Sequence, residues 1–278
     1  MEKIEGSGVR PRNPARPGGC ERRAGERSSD FRRSGVEGSV RKNPSTRPSG
    51  SLRVSPLKKN YVRAQAVIFD MDGVITNTMP DHFRCWKMIF GRYGIRVTYL
   101  DIYSREGQKG MMSVKEIFAK YHKPLTPEQA QEILDAKEKL FKKIVKRRFI
   151  IGARSFLRFL HRKNIKLALV TGTSRHELHQ ILPDHLYNLF SVIVTGTDVK
   201  NGKPHPEPFL KALKLLKIKS SEAIVIENAP FGIQAAKKAG LRCLALASSL
   251  PKQFLHEADA VFLSIKEVRG RVGFEAFD

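Results

Sequence analysis

The sequence predicts an α/β fold: a doubly wound parallel sheet with a small all-helical domain inserted after the first strand. Three observations carry this expectation. Short, mostly apolar runs at 64–69, 165–170 and 223–226 lack helical spacing and have the length of buried parallel strands. From residue 151 to 263 such runs alternate with helical patterns, which is the signature of β-α-β units. Between residues 95 and 150 the pattern is helical throughout, so a helical block interrupts the series soon after the first strand.

Composition bounds what the chain can be. It has 278 residues, with 51 Lys and Arg against 27 Asp and Glu, a formal net charge of +24. A basic surface attracts anions such as phosphorylated metabolites or nucleic acid. Cys20, Cys85 and Cys243 have neither metal-ligand nor redox spacing, so reduced thiols and a cytoplasmic location are expected. No apolar run reaches membrane-spanning length, and the first residues lack the apolar core of a secretory signal. Residues 1–61 are rich in Gly, Pro, Ser and Arg and read as a disordered basic tail. Contact with nucleic acid would rest on that tail alone, which has no aromatic interleaving and no recognisable module. A monomer and a dimer fit equally well.

In chain order, the strand at 64–69 runs into Asp70-Met71-Asp72-Gly73. Thr78 is placed to cap a helix with Pro80 in its first turn, and Phe83, Trp86, Phe90 and Tyr93 continue it to Gly94. Residues 113–121 form an amphipathic piece, and Thr126-Pro127-Glu128-Gln129 is a capping box opening a long helix to about Val145. A polar loop, 104–108, lies between helices. Helices are then expected at 155–163, from Ser174, at 209–216 and at 231–239. Strands are expected at 165–170, 191–194, 223–226, 241–247 and 260–263. The resulting domains are the tail, a core of 62–78 with 151–278, and a helical domain at 79–150.

Ligands of open α/β sheets gather beyond the carboxyl ends of the strands. There the sequence places Asp70 and Asp72, then Thr171, Gly172 and Thr173, then Lys203 on a loop, then Glu227 and Asn228. Two close carboxylates invite a metal ion or a shared proton. Asp70 could attack a phosphoryl group in line and carry it as an aspartyl-phosphate. Asp72 could protonate the leaving oxygen and then deprotonate water, helped by a pKa raised by its acidic neighbours. Lys203 would offset the repulsion between carboxylate and phosphate, as would Mg²⁺. The Thr171 hydroxyl would bind phosphate oxygens.

Taken together, Asp-Met-Asp-Gly-Val (70–74), Val-Thr-Gly-Thr (170–173), Gly-Lys-Pro (202–204) and Ile-Glu-Asn-Ala-Pro-Phe-Gly-Ile (226–233) resemble the haloacid-dehalogenase-like phosphatase superfamily across residues 65–263. The run 70–78 with His82-Phe83-Arg84 and Trp86 is most similar to its β-phosphoglucomutase-like branch, whose helical cap follows the first motif. The resemblance implies a Mg²⁺-dependent phosphatase of a small phosphorylated metabolite, a sugar phosphate. Asp70 would be nucleophile and metal ligand, and Asp72 the acid/base with its carbonyl on the metal. Thr171 and Lys203 would hold phosphate; Glu227 and Asn228 would be the metal-binding pair. His82 and Arg105 match residues that contact substrate in the mutases. Asn228 stands where an aspartate is usual, which implies weaker Mg²⁺ binding. The cap lysine of the mutases would be one of Lys137, Lys139, Lys142 and Lys143. A β-phosphoglucomutase is the alternative enzyme, and a non-catalytic binding protein the alternative of another class.

Overall fold

The computed structural model describes residues 60–276. The basic segment before residue 60, and the disorder expected of it, lie outside the described residues. The strands are β1 (Asn60–Arg63), β2 (Ala66–Phe69), β3 (Lys166–Val170), β4 (Val192–Val194), β5 (Ala223–Glu227), β6 (Arg242–Leu246), β7 (Ala260–Phe262) and β8 (Val272–Glu275). The helices up to the second sheet strand are α1 (Met79–Gly91), α2 (Tyr99–Tyr103), α3 (Gly110–Lys120), α4 (Pro127–Ile144) and α5 (Ala153–Arg162). Then come α6 (Arg175–Ile181), α7 (Asp184–Tyr187), α8 (Glu207–Leu216), α9 (Pro230–Lys238) and α10 (Ile265–Arg271).

Six strands pair in parallel in the order β4-β3-β2-β5-β6-β7. The chain builds outward from β2 on one side, then returns to its other side, so the strand order reverses between β2 and β5. That reversal is where an open parallel sheet leaves a crevice. Alternation along each strand sends side chains to both faces. Val67, Phe69, Leu167, Leu169, Ile224 and Ile226 pack with Phe156, Leu160 and Leu178 on one side. Ile68, Val170, Val225 and Ala245 pack with Phe209, Leu213 and Ile233 on the other.

The helical block has a cluster of its own, including Trp86, Phe90, Val114, Phe118 and Ile133. Two short links tie it to the sheet, and they run side by side: Asn77 N–H donates to the Arg148 carbonyl (2.8 Å) and Ile150 N–H to that of Ile75 (2.9 Å). The capping box at Thr126 forms with Gln129 as expected. The helix after Thr78 ends at Gly91, and Gly94 turns the chain away at φ +69°.

Two features depart from the sequence expectation. β1 begins at Asn60, inside the stretch assigned to the tail, and pairs in parallel with β8 as a separate two-stranded sheet. Thr78 does occupy the N-cap position of α1, but its side chain makes no capping bond. Its hydroxyl is used elsewhere.

Candidate active site

The reversal point gathers the polar strand ends. Asp70 continues the ladder beyond β2, its N–H donating to the Ile226 carbonyl (3.0 Å). Gly73 then turns the chain at φ +94°; a Cβ there would lie 2.2 Å from Asn228 Nδ2, so the turn admits only glycine. Asp70, Asp72, Glu227 and Asn228 are all fully buried.

Lys203, 1% exposed, enters from the loop before α8. Its Nζ donates to Asp70 Oδ1 (2.7 Å), Glu227 Oε1 (2.6 Å) and the Val170 carbonyl (3.2 Å). Burial alone would lower the lysine's pKa, but the two carboxylates outweigh it and hold the ammonium protonated. Burial pushes the Asp70 carboxyl up to about 8; Lys203 opposes this, while Glu227 and Asp72 add to it. One ammonium between two buried carboxylates leaves negative charge uncompensated.

The other oxygens show where a cation fits. Asp70 Oδ2 and Asn228 Oδ1 are buried and without a hydrogen-bond partner, at the ends of adjacent strands. Hard cations take such oxygen ligands. The Asn228 amide donates to Ser249 Oγ (3.0 Å), which turns its oxygen away from that serine. Glu227 is engaged: Oε2 accepts from the N–H groups of Asn228 (2.8 Å) and Ala229 (3.2 Å). Among the described residues no three His, Cys, Asp or Glu side chains form a ready metal cluster, since position 228 is an amide and Glu227 faces Lys203.

Asp72 sits in a different environment. Thr78 Oγ1 donates to its Oδ1, and Thr173 Oγ1 to its Oδ2 (3.1 Å). His82 Nε2 lies 3.6 Å from Oδ1, with its ring stacked on Phe141 at 4.1 Å. Burial pushes this carboxyl up, but His82, Thr78 and Thr173 together outweigh it and set the pKa below its ordinary value. The expectation of a raised pKa for Asp72 is therefore corrected: donors surround it more closely than acids do. A carboxylate held this way is oriented and ready to accept a proton.

Thr171 follows β3, its N–H on the Val194 carbonyl and its Oγ1 accepting from Thr173 N–H (3.1 Å). The loop 104–108 is seated on these strand ends. A Cβ on Gly107 would lie 2.3 Å from Lys203 Cδ, and one on Gly172 would lie 3.0 Å from the Gly107 backbone. Glu106 in that loop is pushed well above the ordinary carboxyl range by burial, then by Asp72 and Asp70. Arg105 is turned to its own helices, with Nε on Glu116 (3.0 Å) and NH1 on the Asp101 carbonyl (2.8 Å).

A cavity of about 260 Å³ lies between the helical block and the sheet, lined by His82, Arg105, Glu106, Lys137, Thr173 and Glu177 among others. Lys137 is the one lysine of the four considered that lines it, 8% exposed and 4.6 Å from the Phe141 ring centre. A signal for it exists in the sequence: Ala130, Ile133, Lys137 and Phe141 share the buried face of α4. Glu106 has no such signal, because only the docking of its loop brings it to the aspartates.

A Rossmann-ordered parallel sheet with an aspartate pair, a buried lysine and a Glu-Asn pair at its reversal point, under a helical insertion, defines an enzyme of the α/β class. The chain belongs to the haloacid dehalogenase-like hydrolases, whose family model matches residues 67–246. It is 35% identical over 208 residues to the phosphorylated carbohydrates phosphatase of Thermotoga maritima, covering 72% of this chain and 93% of that one. It is 31% identical over 196 residues to the β-phosphoglucomutase of Bacillus subtilis, covering 67% and 85%. The solved structure of β-phosphoglucomutase from Clostridium difficile superposes with a TM-score of 0.65 at 26% identity, covering 74% and 93%. Among the described residues no helix is long and apolar enough to cross a membrane.

Proposed function

We propose that this enzyme is a Mg²⁺-dependent phosphatase of small phosphorylated sugars, acting through an aspartyl-phosphate on Asp70. The observation that carries the reading is the Lys203 ammonium on Asp70 Oδ1, with Asp70 Oδ2 left free of hydrogen bonds. An oxygen of the Asp70 carboxylate attacks phosphorus as the bond from phosphorus to the sugar oxygen breaks. Asp72, a carboxylate at rest, takes up a proton from solvent before the first transfer and delivers it to the departing sugar oxygen; it then accepts one from the water that attacks the aspartyl-phosphate, releasing inorganic phosphate. Thr78 and Thr173 hold Asp72 in place for both transfers. Thr171 and the Gly172 and Thr173 backbone would cradle the phosphate oxygens. Mg²⁺ would be held by Asp70, the Asp72 carbonyl and Asn228, and would supply positive charge to the transferring phosphoryl group. Glu227 contributes its charge through Lys203 rather than as the direct ligand that the family resemblance implies.

Asp70 and Asp72 are fully buried, so a substrate reaches them only when residues 79–150 swing from the core as a cap. The same closure keeps bulk water from the first transfer. The decisive assay supplies β-glucose 1-phosphate, Mg²⁺ and a trace of the 1,6-bisphosphate, and follows free phosphate and glucose 6-phosphate together. Phosphate release is expected, here or across a panel of sugar phosphates. Glucose 6-phosphate formed without phosphate would instead establish the mutase, the reading favoured by His82 beside Asp72 and Lys137 in the cavity.

Asn228→Asp tests the metal assignment. It adds a carboxylate to a ligand set whose charge count governs affinity, so the Mg²⁺ concentration for half-maximal activity is expected to fall about fivefold or more. Without metal the extra buried charge lowers the melting temperature, and saturating Mg²⁺ restores it. Unchanged values of both would remove Asn228 from the metal site.

A further inference from the structure

One wall of the cavity does not suit a second phosphate. Glu177 is 5% exposed and lines the cavity one helical turn beyond Thr173. Its Oε2 closes the capping box of α6, accepting from the Ser174 hydroxyl (3.1 Å) and N–H (3.4 Å). Its Oε1 is buried and has no hydrogen-bond partner. A helix cap needs only one of the two oxygens. Leaving the other buried and unpaired costs stability, a cost offset when a donor arrives. Glu138 reaches the same cavity from α4. Burial and the nearby Glu177 charge push its carboxyl up, against the pull of Lys137. Among the described residues neither glutamate makes an ion pair. The Lys137 ammonium lies over the rings of Phe141 and Trp86, at 4.6 and 5.8 Å from their centres. Arg105 and Lys109 line the cavity from the loop before α3 rather than from α4 or α6, and Arg105 is already paired with Glu116. The part of the lining that α4 and α6 supply therefore carries two carboxylates, Glu138 and Glu177, against one ammonium, Lys137.

We infer that Glu177, seconded by Glu138, selects the end of the substrate remote from the scissile phosphate: it accepts a hydrogen bond from a substrate hydroxyl and turns away an anionic group. The inference rests on the phosphatase reading of the same site and narrows its substrates to phosphomonoesters with a neutral, hydroxylated tail. A carboxylate or second phosphate in that position would meet the Glu177 oxygen with no proton between them.

The test uses two compounds of matched length, sorbitol 6-phosphate, which ends in a hydroxyl, and 6-phosphogluconate, which ends in a carboxylate. The full-length enzyme is expected to favour sorbitol 6-phosphate about tenfold or more in kcat/KM, mainly through KM. Glu177→Gln keeps an oxygen for the capping box, so a merely structural role for Glu177 would leave that preference standing. The preference is expected to shrink about fivefold in this variant, with the fold checked by its melting temperature. Glu132→Gln, an exposed change on α4 outside the cavity, controls for bulk charge and leaves the preference unchanged. The same pair is titrated calorimetrically into Asp70→Asn and Asp70→Asn/Glu177→Gln. If neither compound is hydrolysed but the binding preference is present and falls with Glu177→Gln, the phosphatase reading fails and the selector assignment holds. A preference unmoved by Glu177→Gln within about twofold, or no binding of either compound, overturns the selector assignment.

Discussion

Asp70→Asn is expected to reduce turnover by on the order of 10⁴-fold or more, about 5 kcal/mol of transition-state stabilisation, while the protein stays folded. The amide oxygen can still accept from Lys203, but it cannot carry a phosphoryl group through a hydrolysable acyl phosphate. Stability should move the other way. The folded-state pKa of Asp70 is raised from 3.8 to about 8, so between those values the native state binds the proton more tightly than the unfolded chain. Stability is therefore lost as pH rises through that window, and the asparagine, which has no proton to lose, escapes the loss. Without metal the variant should melt at or above the wild-type temperature, with a margin that grows from pH 4 to pH 8. Incubation with a labelled phosphate donor should mark the wild type with a hydroxylamine-labile phosphate and leave the variant unmarked. Retained steady-state turnover in a clean preparation would sink the nucleophile assignment.

The sheet and the positions of its catalytic-type residues were legible because strand and motif are contiguous. A buried run ends, and the next residue is polar: Phe69 then Asp70, Val170 then Thr171, Ile226 then Glu227. Parallel pairing then brings those ends to one edge without further information. Positions that depend on how the helical block docks were not legible. Thr78 has the sequence context of an N-cap, yet the chain bends so that its hydroxyl reaches Asp72 instead. Arg105 looks like an arginine held over the site, and Glu116, eleven residues away, takes it. Glu177 reads as the third residue of a capping box, which it is; only the packing of α1, α4 and α6 turns its second oxygen into a feature of the cavity. β1 and β8 pair across the whole described chain, a long-range contact with no local signal in four residues of mixed polarity. The pKa of Asp72 failed as an expectation for a related reason. Sequence shows acids near acids, whereas the balance is set by Thr173, a hundred residues on, and by His82.

Lys203→Met should damage stability and activity together, and the pH dependence separates its causes. Methionine keeps most of the stem that packs under Gly107, where the two segments are already in close contact. What it removes is the ammonium that Asp70 and Glu227 share at 2.7 and 2.6 Å. Both carboxylates are then buried beside each other without a counter-ion, a change that typically costs about 3–5 kcal/mol. For a domain of this size that is a fall in melting temperature of roughly 10 °C above pH 8, where Asp70 in the wild type is ionised. The deficit should be largest in alkaline solution and narrow as pH falls through 8, because the ammonium is what holds the Asp70 carboxyl down, and an Asp70 that keeps its proton relieves the repulsion. Mg²⁺ should narrow it as well, by supplying the missing charge next to Asp70. Activity should not return with stability: the phosphoryl group would approach an aspartate no longer held by its fixed cation, and a loss on the order of 10³-fold is expected even where the variant is fully folded. A melting temperature within about 2 °C of wild type, flat from pH 6 to pH 9, would show that the ammonium does not govern the charge balance of the buried cluster.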